Sequence, residues 1–291
     1  MRFGCCGSLV ASAPDRTGVE IVERLAEYGY DYIELPLAEI MELDGGAFGA
    51  LRSRVERSSL RCEACNNFFP ARVRLTGPEA DPGAARDYCV RALDRAAELG
   101  AAVVVFGSAG AKRVPVGFSM ERAWEQVADI TRYAGEEAAK RGITIAIEPV
   151  RHPDCNIINT FAEGVSMARE TGLDSVKVLV DLYHLACEGE NPDILRQYGA
   201  EYLRHVHFSY PNFPEIDGVS GPEQLRGMFE GELDRRGWWR TWPSSREEWG
   251  YAPFIQALKG CGYDGRVSIE APVGNFEVQA PRTLAFLKEA F

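Results

Sequence analysis

The chain has 291 residues, 46 % of them apolar, with 43 Asp and Glu against 32 Lys and Arg, four His and a net charge of −11. That length fills either two ordinary domains or one large α/β unit with a sizeable core. The acid excess argues against nucleic acid or an anionic membrane as a partner, because phosphate binding draws on clustered Lys and Arg.

In chain order, the start Met1-Arg2-Phe3-Gly4-Cys5-Cys6-Gly7 has no long apolar export core, and no later run approaches the ~20 apolar residues of a membrane helix. A soluble, cytoplasmic protein is expected. Arg2-Phe3-Gly4 reads as a first strand. Ile21, Val22, Leu25 and Ala26 share a helical face that Tyr28-Gly29 closes, and Tyr32-Ile33-Glu34 follows as a strand. A helix over about 47–57 leads to a strand at 60–65. Another over 83–98, with Val90, Leu93 and Ala97 on one side, ends at Gly100 before a buried strand at 102–106. Ser119 opens a long helix to about 140, with Glu121 in its first turn. The second half repeats the pattern: strand 143–148, helix 161–170, strand 176–181, helix 192–198, strand 203–208, helix 251–259, strand 266–270 and helix 280–290.

Eight strand–helix units in 291 residues average about 36 each, the size of a βαβ repeat. No composition break divides the chain, so the expectation is α/β, one (β/α)8 barrel over 1–291. One stretch departs from the rhythm. Residues 210–249 hold Pro211, Pro214, Pro222, Pro243 and four of the five Trp. They read as an inserted βα loop, either a packed surface or subunit contact or a cover over the barrel mouth. The eight Cys are scattered, and Cys62-x-x-Cys65 has no second pair or His cluster to complete a zinc site. Reduced structural thiols are expected.

In such a barrel, chemistry sits where strands end. Those positions hold Glu34, Glu63 to Asn67, Gly107-Ser108, Glu148, Asp181, His207 and Glu270. A single Glu or Asp ending a strand is ordinarily a helix cap, and a single His in a strand a satisfied core residue. Glu148, Asp181, His207 and Glu270, however, close four successive strands. Three buried carboxylates brought together repel one another unless a cation sits among them. A mixed oxygen and nitrogen donor set suits Mn²⁺, Mg²⁺ or Co²⁺ better than a thiolate-type zinc site does. One divalent metal per chain is therefore expected, with Mn²⁺ first.

Four segments carry a family resemblance: Ile147-Glu148-Pro149, Val180-Asp181-Leu182-Tyr183-His184, His205-Val206-His207, and Gly262-Tyr263-Asp264-Gly265-Arg266-Val267-Ser268-Ile269-Glu270. Their order and spacing resemble the xylose-isomerase-like TIM-barrel superfamily, and within it the sugar phosphate isomerase/epimerase group that includes ketose 3-epimerases. The resemblance implies that Glu148, Asp181, His207 and Glu270 bind one divalent metal. It implies that Glu148 and Glu270 also act as acid and base, that His184 points at substrate oxygens, and that the protein is a homodimer or homotetramer acting on a small sugar.

Departures from the family pattern matter. Ketose 3-epimerases usually place an Arg shortly after the metal His, and Ser209-Tyr210-Pro211-Asn212-Phe213 has none. Arg240, in Arg240-Thr241-Trp242-Pro243, is the substitute the sequence offers; its alternative is a surface ion pair. The substrate-binding acid six residues past the first Glu corresponds to Asp154, with His152 a rival and a solvated loop the alternative. Asn66 and Asn67 line the pocket or form a turn. Trp238, Trp239 and Trp242 stack on a sugar face or pack a lid or subunit contact.

The chemistry these residues suit is removal of a proton beside a carbonyl and its return to the opposite face, giving epimerisation or aldose–ketose isomerisation through an enediolate. Aimed at a β-hydroxyl, the same apparatus gives a lyase or dehydratase acting on a keto-inositol or C-glycoside. A related endonuclease would need several more His and a basic surface, against four His and −11 here. A xylose-isomerase hydride shift would need a Lys where Val150-Arg151 stands. A non-catalytic sugar-binding protein leaves Glu148 and Glu270 without a reason to be paired.

Overall fold

The computed structural model of the chain describes residues 1–213 and 240–291. Eight parallel strands form a closed barrel: β1 (Arg2–Cys6), β2 (Tyr32–Pro36), β3 (Cys62–Asn66), β4 (Val103–Phe106), β5 (Thr144–Ile147), β6 (Val176–Asp181), β7 (Leu203–Phe208) and β8 (Arg266–Ile269). Each pairs with the next, and β8 closes on β1 with Arg2 opposite Arg266 and Cys5 opposite Ile269. The crossovers carry α1 (Val22–Tyr28), α2 (Gly45–Arg57), α3 (Pro82–Leu99), α4 (Met120–Ala139), α5 (Phe161–Thr171), α6 (Ile194–Tyr202), α7 (Ala252–Gly260) and α8 (Phe276–Ala290). This is a (β/α)8 TIM barrel, as the repeating pattern implied. No helix among the described residues is long and apolar enough to cross a membrane.

Helix starts follow their caps. Asp44, Asp81 and Ser119 accept from the third residue of α2, α3 and α4, and Thr160 with Glu163 forms a capping box on α5. Helix α8 begins four residues before the 280–290 span because Asn275 accepts from Val278 N–H. Gly29 and Gly100 end α1 and α3 at φ 87° and 84°, a conformation that suits glycine. Short helical turns at Leu37–Ile40 and Leu182–Cys187 follow β2 and β6 directly, and one at Ala109–Lys112 follows β4 after Gly107 and Ser108. They went unforeseen because so few residues show no 3.6-residue period.

Alternation along each strand divides the core in two. Ile145, Ile147, Val178, Val180, Val206 and Ile269 face the helices in the large apolar cluster. Ala64, Val103, Val105, Ala146 and Leu179 form a separate small cluster inside the barrel. Side chains two positions beyond an inward residue also point inward. Glu148 follows Ala146 in this way, and Asp181 follows Leu179. On β5 and β6 the inward row thus ends on an acid at the C-terminal mouth, and on β7 it ends on His207.

The 210–249 stretch is described only at its two ends. Tyr210–Pro211 pairs antiparallel with Arg240–Thr241, a two-stranded link outside the barrel sheet. Trp238 and Trp239, with the rest of 214–239, lie outside the described residues.

Candidate metal and substrate site

The four strand-end residues meet. Glu148, Asp181, His207 and Glu270 each bring a ligand atom to within 4.8 Å of the others. His207 Nδ1 lies 2.9 Å from Glu148 Oε1 and 3.3 Å from Glu270 Oε2. Asp181 Oδ1 accepts from Tyr183 N–H at 2.7 Å, leaving Oδ2 turned to the cluster. Asn66 Nδ2 lies 3.5 Å from Glu270 Oε1.

Burial and crowding set the charges. Burial pushes Asp181 up to about 8 against the pull of Arg240, and burial likewise raises Glu148 despite the neighbouring His207. Burial would raise Glu270 too, but Arg240 and His207 hold it well below the usual carboxylate range. Desolvation opposes a charged His207, yet Glu270 and Glu34 outweigh it and raise the imidazole.

These donors fit a divalent cation. Three carboxylates and one imidazole nitrogen converge in a buried space, which is costly without positive charge. A cationic group already stands among them: Arg240 Nη1 donates to Asp181 Oδ2 at 2.9 Å and to Glu270 Oε2 at 2.8 Å. The guanidinium carbon also lies 5.1 Å over the Tyr183 ring, within cation–π range.

Above the cluster opens a cavity of about 440 Å³ lined by Glu148, Glu270, His184, Arg240, Asp154 and Asn67, among others. His184 is nearly buried and kept neutral; burial, then Arg240, lowers its pKa to about 3. Arg151 N–H donates to its Nδ1 at 3.3 Å, so the ring proton sits on Nε2, 3.7 Å from Asp181 Oδ2. Asp154 is fixed by two hydrogen bonds from Arg151, at 2.8 and 3.1 Å. Asn67 takes a left-handed φ of 51°, which asparagine tolerates, and its carbonyl accepts from Ala38 N–H.

Two expectations change. Trp242 does not line the cavity: its indole Nε1 donates to Ala271 O at 2.9 Å and its ring packs edge-on against Phe276. An indole with a satisfied N–H in an apolar setting is a packing residue. His152 is likewise held away, 2.7 Å from Glu188 Oε2. Residues given no role from sequence also appear, since Arg16, Glu39 and Arg113 line the cavity from the loops after β1, β2 and β4. Nothing in their local sequence marks them; only barrel closure gathers those loops. Glu34, seen as a strand end without a task, reaches His207 from the other side.

A (β/α)8 barrel with an acid–histidine cluster of cation-binding type at its C-terminal mouth is the class this architecture defines. The sequence profile of the xylose isomerase-like TIM barrel family matches residues 22–290, and the chain belongs to that family. The ketose 3-epimerase of Arthrobacter globiformis is 25 % identical over 275 residues, covering 93 % of this chain and 83 % of the relative. The inosose isomerase of Bacillus velezensis (strain DSM 23117) is 31 % identical over 143 residues, covering 49 % and 45 %. Among solved structures, the D-allulose 3-epimerase from Methylomonas sp. in complex with D-allulose superposes with a TM-score of 0.78 at 18 % identity, covering 100 % of this chain and 97 % of that one. The named relatives are epimerases and isomerases, and this chain is an enzyme of that broad kind.

Proposed function

We propose that the protein is a divalent-metal-dependent epimerase or isomerase of a ketose or related sugar. One observation carries the reading: Glu148 and Glu270 enter the same cavity from different strands, and both lie against His207 Nδ1. Epimerising a carbon beside a carbonyl requires one group to take a proton and another to return it to the opposite face. Two carboxylates flanking the carbon fill those roles, and isomerisation uses the same pair with return at the neighbouring carbon. Glu148, Asp181, His207 and Glu270 would hold the cation, Mn²⁺ first and Mg²⁺ or Co²⁺ as alternatives. When bound, it supplies positive charge beside the carbonyl oxygen, where negative charge develops.

The remaining residues orient the sugar. His184 offers a fixed Nε2–H donor, Asp154 an acceptor steadied by Arg151, and Asn67 an amide at the rim. Arg240 places its charge at the cavity floor beside two of the acids. Related names also support a keto-inositol as substrate, since it carries the same acidic proton beside a carbonyl; elimination of its β-hydroxyl is the second reading. The test is incubation with Mn²⁺ in D₂O with a panel of ketoses and keto-inositols. Deuterium should enter a carbon next to the carbonyl of at least one substrate, with epimer or isomer formed. A lyase would give an enone instead. No exchange and no product anywhere in a broad panel refutes the proton-transfer reading.

A further inference from the structure

One buried carboxylate has no task in that scheme. Glu34, at 0 % exposure on β2, lies across His207 from the acid cluster. His207 Nε2 lies 3.0 Å from Glu34 Oε1, while Glu34 Oε2 accepts from Ser268 Oγ at 2.5 Å and lies 2.8 Å from His205 Nε2. Ser268 gives its only hydrogen to Glu34, so the Tyr32 hydroxyl, 2.8 Å away, donates to Ser268. Glycine at position 4 makes room for this chain, since a Cβ there would sit 2.3 Å from the Tyr32 ring.

To bind a metal His207 must give up its second proton, and the neutral imidazole then has one N–H and one lone pair. With the N–H committed to Glu34 through Nε2, the lone pair falls on Nδ1, the nitrogen turned to Glu148 and Glu270. We propose that Glu34 is a positioning residue that holds His207 as its Nε2–H tautomer and thereby makes Nδ1 the metal-binding nitrogen. The inference rests on the metal reading above. A second cation between Cys6, Glu34 and His207 Nε2 is the rival use of these atoms. It is opposed on one side by Ser268 Oγ and His205 Nε2, which already occupy Glu34 Oε2, and the metal count per chain separates the two.

The test measures metal binding without turnover. Mn²⁺ titration followed by electron paramagnetic resonance gives stoichiometry and Kd for wild type, E34Q and S268A. Nitrogen-15 NMR of histidine-labelled, Mg²⁺-loaded wild type reads which nitrogen of His207 is protonated. Expected are one metal per chain, a Kd about 10–100-fold weaker in E34Q, the usual cost of losing such a partner, and a few-fold weaker Kd in S268A. The NMR should show His207 protonated on Nε2, a signature that a merely structural Glu34 would not impose. If E34Q does not fold, the wild-type tautomer and S268A decide. Protonation on Nδ1, a Kd in folded E34Q within twofold of wild type, or two metals per wild-type chain would each overturn the proposal. Wild type that binds no Mn²⁺, Mg²⁺ or Co²⁺ would instead overturn the metal reading beneath it.

Discussion

Gly107 offers a test of the site through a residue with no chemistry of its own. It follows β4 and lines the cavity, and a Cβ built on it would lie 2.1 Å from Glu148 Oε2 and 3.2 Å from its Cδ. Ordinary contact begins near 3.4 Å, so Gly107→Ala must drive the carboxylate back by about 1.3 Å. Gly107 is not among the residues with positive φ, so alanine fits the backbone itself. The displaced atom is a side-chain end, and the fold should survive with little change in Tm. A misplacement of about 1 Å in a reacting group costs about 10²-fold in rate, or about 2.7 kcal/mol of barrier. The assay is kcat/KM on the best substrate of the panel with saturating Mn²⁺, beside Mn²⁺ affinity. Gly250→Ala, where an added Cβ meets nothing within 4 Å, is the control and should match wild type. A kcat/KM for Gly107→Ala within threefold of wild type would refute the placement of Glu148 at the reacting centre.

Three further outcomes follow from the geometry. Glu148→Gln and Glu270→Gln should each lower deuterium exchange into substrate by about 10²–10⁴-fold, the range for losing a general acid or base; either variant keeping a tenth of wild-type exchange removes that residue from the proton path. Chelation should abolish turnover, and Mn²⁺ at about 100 times its Kd should restore it and add about 2.7 kcal/mol of stability; a melting temperature indifferent to Mn²⁺, Mg²⁺ and Co²⁺ counts against the cation site. Trp242→Phe should cost about 1–2 kcal/mol through the lost hydrogen bond to Ala271 O and poorer packing, with KM within about twofold; a tenfold rise in KM would return Trp242 to the substrate.

What the sequence by itself determined is what repeats locally. Strand alternation and helical periodicity placed eight strands and their helices, and Ser119 marked its helix start. Because they close predicted strands, Glu148 and Asp181 were legible as mouth residues before any contact was known; that they point inward follows from the interior cluster of Ala146 and Leu179. Only the tertiary structure decided which side chains meet. Glu34 and His207 are 173 positions apart, and their pairing exists because barrel closure sets β2 and β7 across a common interior. Arg240 reaches Asp181, 59 positions earlier, by way of a strand pair outside the barrel. Trp242, two residues on, turns to Ala271 and the core instead. Local spacing tells which way a side chain leaves its own strand; barrel closure and loop path decide what it finds there.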